Sequence, residues 1–350
     1  MSKKLSFSES LKTIPQNIFS GFVVSLIALP LGLGLAIASE APPLAGIIAA
    51  VAGGLVVSVF GGSHVTIAGP GNGLVIVLLA AITSLGEGNL FEGYLFTLAA
   101  IIFSGFLLFI FGVLRLGAMS EFFPATALQG MLAAIGVGIL AKQFHIMLGI
   151  RGVSGGTIEQ LMAIPDSFIN FLATHPFSGI LGFLSLVFLF LYSRIRNPYF
   201  HLIPAPMWVV VASIGIGYYY NLVLNEPVPI VQELLIKIPD QLFTNLPRPN
   251  FSKWFDINFL GVVLSITLVA NIESLLSIKA VDKLDPKKRR SNVNKDLRAL
   301  GLASIVSGFL GGLNVVTVIA RSSVNVNNGG INRSANFFHA AFLVLFVVFL

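Results

Sequence analysis

The chain has 350 residues, of which 55% are hydrophobic and 10% charged, against about 25% charged in an ordinary soluble domain. A mean hydropathy of +0.90 excludes a water-soluble globule, and the lack of cysteine excludes disulfides, thiolate metal sites and cysteine nucleophiles. The net charge of +6 comes from Lys and Arg in loops flanking apolar runs, a mark of membrane topology and not of nucleic-acid binding.

The first residues, MSKKLSFSESLKTIPQN, form a polar lead-in without a cleavage site, so no removable signal peptide is expected. Runs of roughly 17–25 apolar residues cross about 30 Å of hydrocarbon. On that measure spans are predicted near 18–38, 43–60, 71–85, 94–114, 124–148, 177–193, 203–222, 257–281, 297–313, 320–331 and 335–350. The third and tenth are too short to span alone and read as half-helices fed by extended backbone. Residues 151–174 read as a Gly-rich loop and a short interfacial helix, and 223–256 as a Pro-rich segment on the outer surface. With the N-terminus inside, fifteen of the 21 Lys and Arg fall on the cytoplasmic side, from Lys3, Lys4 and Lys12 to Arg333. Five fall outside, Lys142, Arg151, Lys237, Arg248 and Lys253, and Arg321 is left over. That excess obeys the positive-inside rule and implies a multi-pass inner (plasma) membrane protein. The basic run from Lys279 to Arg298 then faces anionic lipid. The chain stops within AAFLVLFVVFL with no polar flank, which reads as a truncated sequence.

Two fragments echo each other 250 residues apart: FGGSHVTIAGPGNG from Phe60 and LGGLNVVTVIARSSVN from Leu310. Each is a Gly-Gly pair, a β-branched run and then small residues opening an apolar helix. Residues 63–70 and 313–320 are therefore expected as extended strands crossing near the membrane centre. Irregular backbone survives in lipid only where protein buries it or it lines a cavity, and paired interrupted segments in two halves point to a transporter's substrate site. A helix N-terminus carries roughly half a positive charge and free N–H donors. Two such ends, opening near Gly71 and Arg321, would make an anion site. Gly69, Gly71 and Gly73 allow close backbone approach, Pro70 suits a first helical turn, and Asn72 and Ser322 add donors. The plainer alternative is a turn between two spans.

Arg321 opens an apolar helix, where an arginine at depth costs at least about 2.5–3.5 kcal/mol and needs a partner or a cavity, unless it snorkels to the headgroups. Glu273 is the acidic residue inside LSITLVANIESLLSIKAV and must pair, protonate or hold a cation. Asn271, Ser274 and Ser277 lie nearby, with Ser277 a turn beyond Glu273 on the same face. The chemistry suits a coupling site for Na⁺ or H⁺, with a structural glutamate or an Arg321 ion pair as alternatives. No other cofactor is implied. His64, His145 and His339 do not cluster with carboxylates, so neither a metal site nor an embedded enzyme is expected.

The strings ALPLGLGLAIASEAPPLAGIIAAVAGG, FGGSHVTIAGPGNG, NIESLLSIKAVDKLDPKKRRSNVNKDL and IARSSVNVNNGG resemble the SulP family of inorganic anion transporters. The resemblance implies an all-α polytopic fold of seven-plus-seven inverted repeats, with two half-helices preceded by short strands and the C-terminal spans missing here. It implies a cytoplasmic segment over 1–17, core spans 1–4 over 18–114, gate spans 5–7 with an outer loop over 115–256, and core spans 8–11 over 257–350. It assigns Leu31, Leu35, Gly71, Asn72, Gly73, Ala320 and Arg321 to the anion pocket and matches Glu273 to the acidic coupling position. Leu31 stands where many relatives have Gln, in a form resembling the branch found beside carbonic anhydrase, which favours bicarbonate. The STAS domain of many members is absent from the sequence. A homodimer and a functional link to carbonic anhydrase are the expected partners, with an inorganic anion as substrate. A cation-coupled transporter of sulfate or bicarbonate is the leading expectation, and a passive anion channel or exchanger the alternative.

Overall fold

The computed structural model describes residues 13–117, 125–150, 153, 155–195, 203–230, 234–235 and 246–349. Lys3, Lys4, Lys12, Arg151, Arg196 and Lys237, most of the segment 1–17, and residues 236–245 of the expected outer loop lie outside the described residues. In chain order the elements are α1 (Ile14–Ala38), α2 (Leu44–Phe60), β1 (Ala68–Pro70), α3 (Val75–Gly86), α4 (Leu90–Val113), α5 (Ala125–Met147), α6 (Thr157–Met162) and α7 (Ile164–Thr174). They continue with α8 (Pro176–Tyr192), α9 (Ala205–Tyr219, ending in a π turn over Tyr220–Leu224), α10 (Ile257–Leu284), α11 (Val293–Phe309), β2 (Val315–Thr317), α12 (Ile319–Asn327) and α13 (Ser334–Phe349). Among the described residues, Ile14–Ala38, Leu90–Val113, Ala205–Leu224 and Ile257–Leu284 are each long and apolar enough to cross a membrane. The chain divides into two compact units, one of residues 1–129 and 238–350, the other of 130–237.

Three helices of the first unit open on polar caps beside apolar runs. Asn89 opens α4 by accepting from the Phe91 and Glu92 N–H groups at 3.1 and 3.2 Å. Asp256 accepts from Asn258 N–H to open α10, and Asn292 accepts from Lys295 N–H to open α11. Each satisfies a donor that the first helical turn leaves free. At the far end of α3, Lys253 Nζ donates to the Leu85 carbonyl at 3.1 Å, a cation on the negative helix end. The core joins Leu78 and Ile82 of α3, Leu98 and Ile101 of α4, Ile266 of α10 and Leu300 of α11. Helices α4 and α11 meet backbone to backbone at Gly105 and Gly301. A Cβ at Gly105 would stand 2.7 Å from the Gly301 carbonyl oxygen.

The two strands pair antiparallel, Ala68 with Thr317, Gly69 with Val316 and Pro70 with Val315, and Val318 N–H donates to the Ile67 carbonyl. Shifting each residue by the 250-position offset of the sequence echo maps the pair Ile67–Val318 onto Ala68–Thr317. The repeat is thus visible in the pairing itself. The regular strands are three residues long, not the eight expected over 63–70 and 313–320, and Pro70 belongs to β1 and not to the first turn of a helix, which starts at Val75. Pairing is confined to the crossing point because side chains serve the remaining backbone. Ser322 Oγ accepts from Ile67 N–H at 2.9 Å. Asn325 Nδ2 donates to the Val65 carbonyl at 2.8 Å, and Asn336 Oδ1 accepts from Ala68 N–H. Ser304 both accepts from and donates to Val315. Without water in the bilayer, such substitutes are obligatory.

Asp296 is the largest of these substitutes. It is 1% exposed and accepts from Gly62 N–H at 2.7 Å, Ser63 N–H at 3.1 Å and the Ser63 hydroxyl. Asp296→Ala is expected to strand three buried donors and cost on the order of 3 kcal/mol. Thermal unfolding in detergent should show a clear fall in Tm, smaller for Asp296→Asn, which keeps one acceptor. An unchanged Tm for the Ala variant would remove the carboxylate from this role.

In the second unit, His145 of α5 is buried and ties that helix to the next two. Its Nδ1 lies 2.7 Å from Ser167 Oγ of α7 and its Nε2 2.9 Å from the Gln160 carbonyl of α6. The single interfacial helix expected in 151–174 is two helices, α6 and α7, broken at Ala163 where Pro165 enters the next first turn. Phe168, Ile169 and Leu172 leave an apolar face exposed along α7.

Candidate functional site

The two short helices of the first unit open on the same antiparallel crossing. At α3 the chain leaves β1 through Gly71, Asn72 and Gly73, of which Gly71 and Gly73 are buried and Asn72 is exposed. Glu273 of α10 sits on this turn. Its Oε1 accepts from Gly73 N–H at 3.3 Å, and the Asn72 N–H adds to the same field. Its Oε2 is buried without a partner. A Cβ on Gly71 would stand 2.7 Å from that oxygen, so only glycine lets the carboxylate come this close. Glu273 therefore holds the positive end of α3 and competes for the donors that an incoming anion would use. The fold thus places Gly71 and Gly73, expected at the anion, in contact with Glu273, expected at the coupling cation.

Along α10, the Asn271 Oδ1 and Ser274 Oγ atoms are also buried without partners. Ser277 is 2% exposed one turn beyond Glu273. A stripe of oxygen-bearing side chains with one carboxylate suits a hard monovalent cation or a proton.

At α12, Val318 is the cap residue, Ile319 and Ala320 are exposed, and Arg321 is fully buried in the first turn. Its guanidinium packs on Gly69, where an added Cβ would run into Nη1. Nε, Nη1 and Nη2 all lack a partner. Full burial removes the snorkelling alternative, and Arg321 forms no ion pair with Glu273. Ser322, expected to donate to substrate, is already committed, since its hydroxyl donates to the Val318 carbonyl at 2.7 Å and accepts from Ile67 N–H. Leu31 and Leu35 are half-buried one turn apart on α1, which packs against both β1 and α12. They present apolar surface and no side-chain donor.

Sequence reading passed over the buried Asp296 and Asn336 and set His339 aside as no metal ligand. Asp296 holds the Gly62–Ser63 backbone, as described above. Asn336 and His339 stand on α13 with Asn336 Nδ2 and both imidazole nitrogens unpartnered. The available signal was an Asn and a His three residues apart within the apolar run SANFFHAAFLVLF, hence on one helix face.

The family model described as the sulfate permease family matches residues 14–350. The bicarbonate transporter BicA of Picosynechococcus is 26% identical over 91% of this chain and 54% of its own length. YvdB of Bacillus subtilis is 26% identical over 96% of this chain and 60% of its own. The chain thus spans 54–60% of the length of these curated relatives. Among solved structures, the transmembrane domain of a cyanobacterial bicarbonate transporter BicA superposes with a TM-score of 0.83 at 23% identity, over 97% of this chain and 83% of that one. The fold is the inverted-repeat transporter fold of that domain, its mostly helical body interrupted by the β1–β2 crossing. These relatives are transporters and not enzymes. From the helix pattern, the paired crossing and the match over residues 14–350, the chain belongs to the sulfate permease family.

Proposed function

We propose that this chain carries the anion site of a secondary transporter for small inorganic oxyanions, bicarbonate or sulfate, driven by Na⁺ or H⁺ through alternating access. The anion binds between the N-termini of α3 and α12, with Gly71, Asn72, Gly73 and Ala320 offering backbone, Arg321 the charge, and Leu31 and Leu35 the apolar wall. Glu273, with Asn271 and Ser277, is the coupling group. In the same reading residues 18–114 and 257–350 are the core and 115–256 the gate, the protein is a homodimer in the inner membrane with a cytoplasmic N-terminus, and carbonic anhydrase is a functional partner.

The observation that carries this reading is the Glu273 carboxylate on the Gly73 N–H, with its second oxygen buried and unpartnered. A bare carboxylate there repels an entering anion and holds its donor. A cation or proton on Glu273 removes both obstacles, so cation and anion occupy the site together. A passive channel on the same fold needs no such group.

The test is uptake of labelled bicarbonate and sulfate into proteoliposomes with an imposed Na⁺ or pH gradient. Accumulation above the anion's own equilibrium, abolished when the cation gradient is collapsed, supports coupled transport. Flux that only follows the anion gradient favours the channel. Gly69→Ala is expected to raise the apparent KM for the anion about tenfold or more, because the new methyl displaces the Arg321 guanidinium, and small misplacements at a binding centre are costly. An unchanged KM would mean that the arginine does not reach the anion from its place on Gly69.

A further inference from the structure

Next to β1, the first unit buries a second group of polar atoms. Arg321 and His339 are 0% exposed and Asn336 is 1% exposed. All three guanidinium nitrogens, both imidazole nitrogens and Asn336 Nδ2 lack partners. Adjacent residues of β1 bring them together. Gly69 receives the Arg321 guanidinium, and Ala68 N–H donates to Asn336 Oδ1 at 3.3 Å. His339 stands one turn beyond Asn336 on the same face of α13 and lies within electrostatic reach of Arg321. Helix α13 packs closely on its neighbours here, since a Cβ on Gly21 of α1 would meet the His339 backbone at 2.9 Å and one on Gly54 of α2 the Asn336 carbonyl oxygen at 2.8 Å.

Buried polar groups are hydrogen-bonded in nearly every native protein, so an unpartnered cluster marks a site for something that satisfies it. The inventory defines that ligand. Arg321 offers up to five N–H donors and a positive charge, and Asn336 adds donors from its amide nitrogen. A neutral imidazole offers one N–H donor and one lone pair. Neutral is the form that shares a desolvated compartment with a guanidinium, because two adjacent buried positive charges repel strongly. The complement is an anion that mostly accepts hydrogen bonds but also donates one. Bicarbonate has that pattern, with acceptor oxygens and a single O–H. Sulfate at neutral pH has acceptors only and would set an oxygen against the imidazole lone pair.

We propose that His339, with Asn336 and Arg321, forms a substrate-selecting compartment that favours singly protonated oxyanions such as bicarbonate over fully deprotonated ones such as sulfate. The ligand O–H donates to the His339 lone pair while its oxygens accept from Arg321, Asn336 and the His339 N–H. The inference rests on the oxyanion-transport reading and adds the residue that chooses between its two candidate substrates. Sites built to pair a ligand hydroxyl reject analogues lacking it strongly, because their own polar group is left unpaired.

The experiment compares labelled bicarbonate and sulfate uptake by the full-length protein in proteoliposomes, alongside thermal stabilisation by each anion in detergent at fixed pH and ionic strength. Wild type should prefer bicarbonate by roughly tenfold or more. His339→Leu should erase that preference by weakening bicarbonate and sparing sulfate, whereas His339→Gln, which keeps a donor and an acceptor, should hold it within about threefold. The same preference in His339→Leu as in wild type overturns the inference while leaving oxyanion transport intact. A wild type that prefers sulfate also overturns it, and that comparison needs no variant to fold. A wild type that neither moves nor is stabilised by either anion overturns both readings.

Discussion

Arg321→Ala is expected to lower apparent anion affinity about 100-fold or more while leaving the protein as stable as wild type, or more stable. The two halves of that result have one cause. Arg321 is fully buried with all three side-chain nitrogens unpartnered, so in this conformation it has lost its hydration without a counter-charge. An uncompensated buried charge destabilises a fold, and its removal offsets the cost of the cavity that alanine leaves. The same desolvation makes the guanidinium a strong ligand, since charge-assisted hydrogen bonds contribute about 1.5–3 kcal/mol each and 1.4 kcal/mol is tenfold in affinity. Two such bonds lost to an anion exceed 100-fold. The measurements are uptake kinetics in proteoliposomes and thermal unfolding in detergent on the same preparations. A purely structural arginine would behave in the opposite way, with affinity unchanged and Tm reduced, and that pattern would overturn the assignment.

Glu273→Gln should abolish cation-driven accumulation by at least about tenfold while anion exchange persists. Two helix ends of roughly half a charge each plus Arg321 amount to about two positive charges, and an ionised Glu273 removes about one. The remainder matches a monovalent anion and falls short of a divalent one until a cation or proton joins. Glutamine has the same shape, and its carbonyl oxygen can still accept from Gly73 N–H, so the α3 turn should survive. With the charge gone, the α3 end is permanently available and no longer responds to Na⁺ or pH. Uptake is measured with and without an imposed Na⁺ or pH gradient. If the variant still concentrates substrate with wild-type gradient dependence, Glu273 is not the coupling group.

The two variants differ in what they remove, since Glu273→Gln keeps the volume of the side chain whereas Arg321→Ala deletes one of the largest buried side chains of the fold. Arg321 rests on Gly69 and Glu273 on Gly71. Each charged group reaches the crossing because the strand beneath it has no side chain. Filling either glycine is therefore a different perturbation from removing the charge, and Gly69→Ala and Arg321→Ala should diverge in stability even if both lose affinity.

The amino-acid sequence by itself determined where helices lie and that two of them are short and paired. The runs expected at 94–114, 257–281 and 297–313 fold as Leu90–Val113, Ile257–Leu284 and Val293–Phe309, because apolar length and the Asn89, Asp256 and Asn292 caps act locally. The echo of the Gly-Gly fragments likewise carried the crossing, since identical offsets produce the symmetric β1–β2 register. Tertiary structure decided what the charges meet. Glu273 lies 200 positions from the Gly73 N–H it accepts from, and nothing along α10 specifies that approach. The strands shrank to three residues because Ser322 and Asn325, from α12, serve the Ile67 and Val65 backbone that a longer ladder would have paired. Asn336 is an isolated polar residue in an apolar run until packing sets its Oδ1 on the Ala68 N–H of β1. A hydrogen bond or a buried charge depends on atoms brought together from distant parts of the chain, and only the closed fold sets those distances.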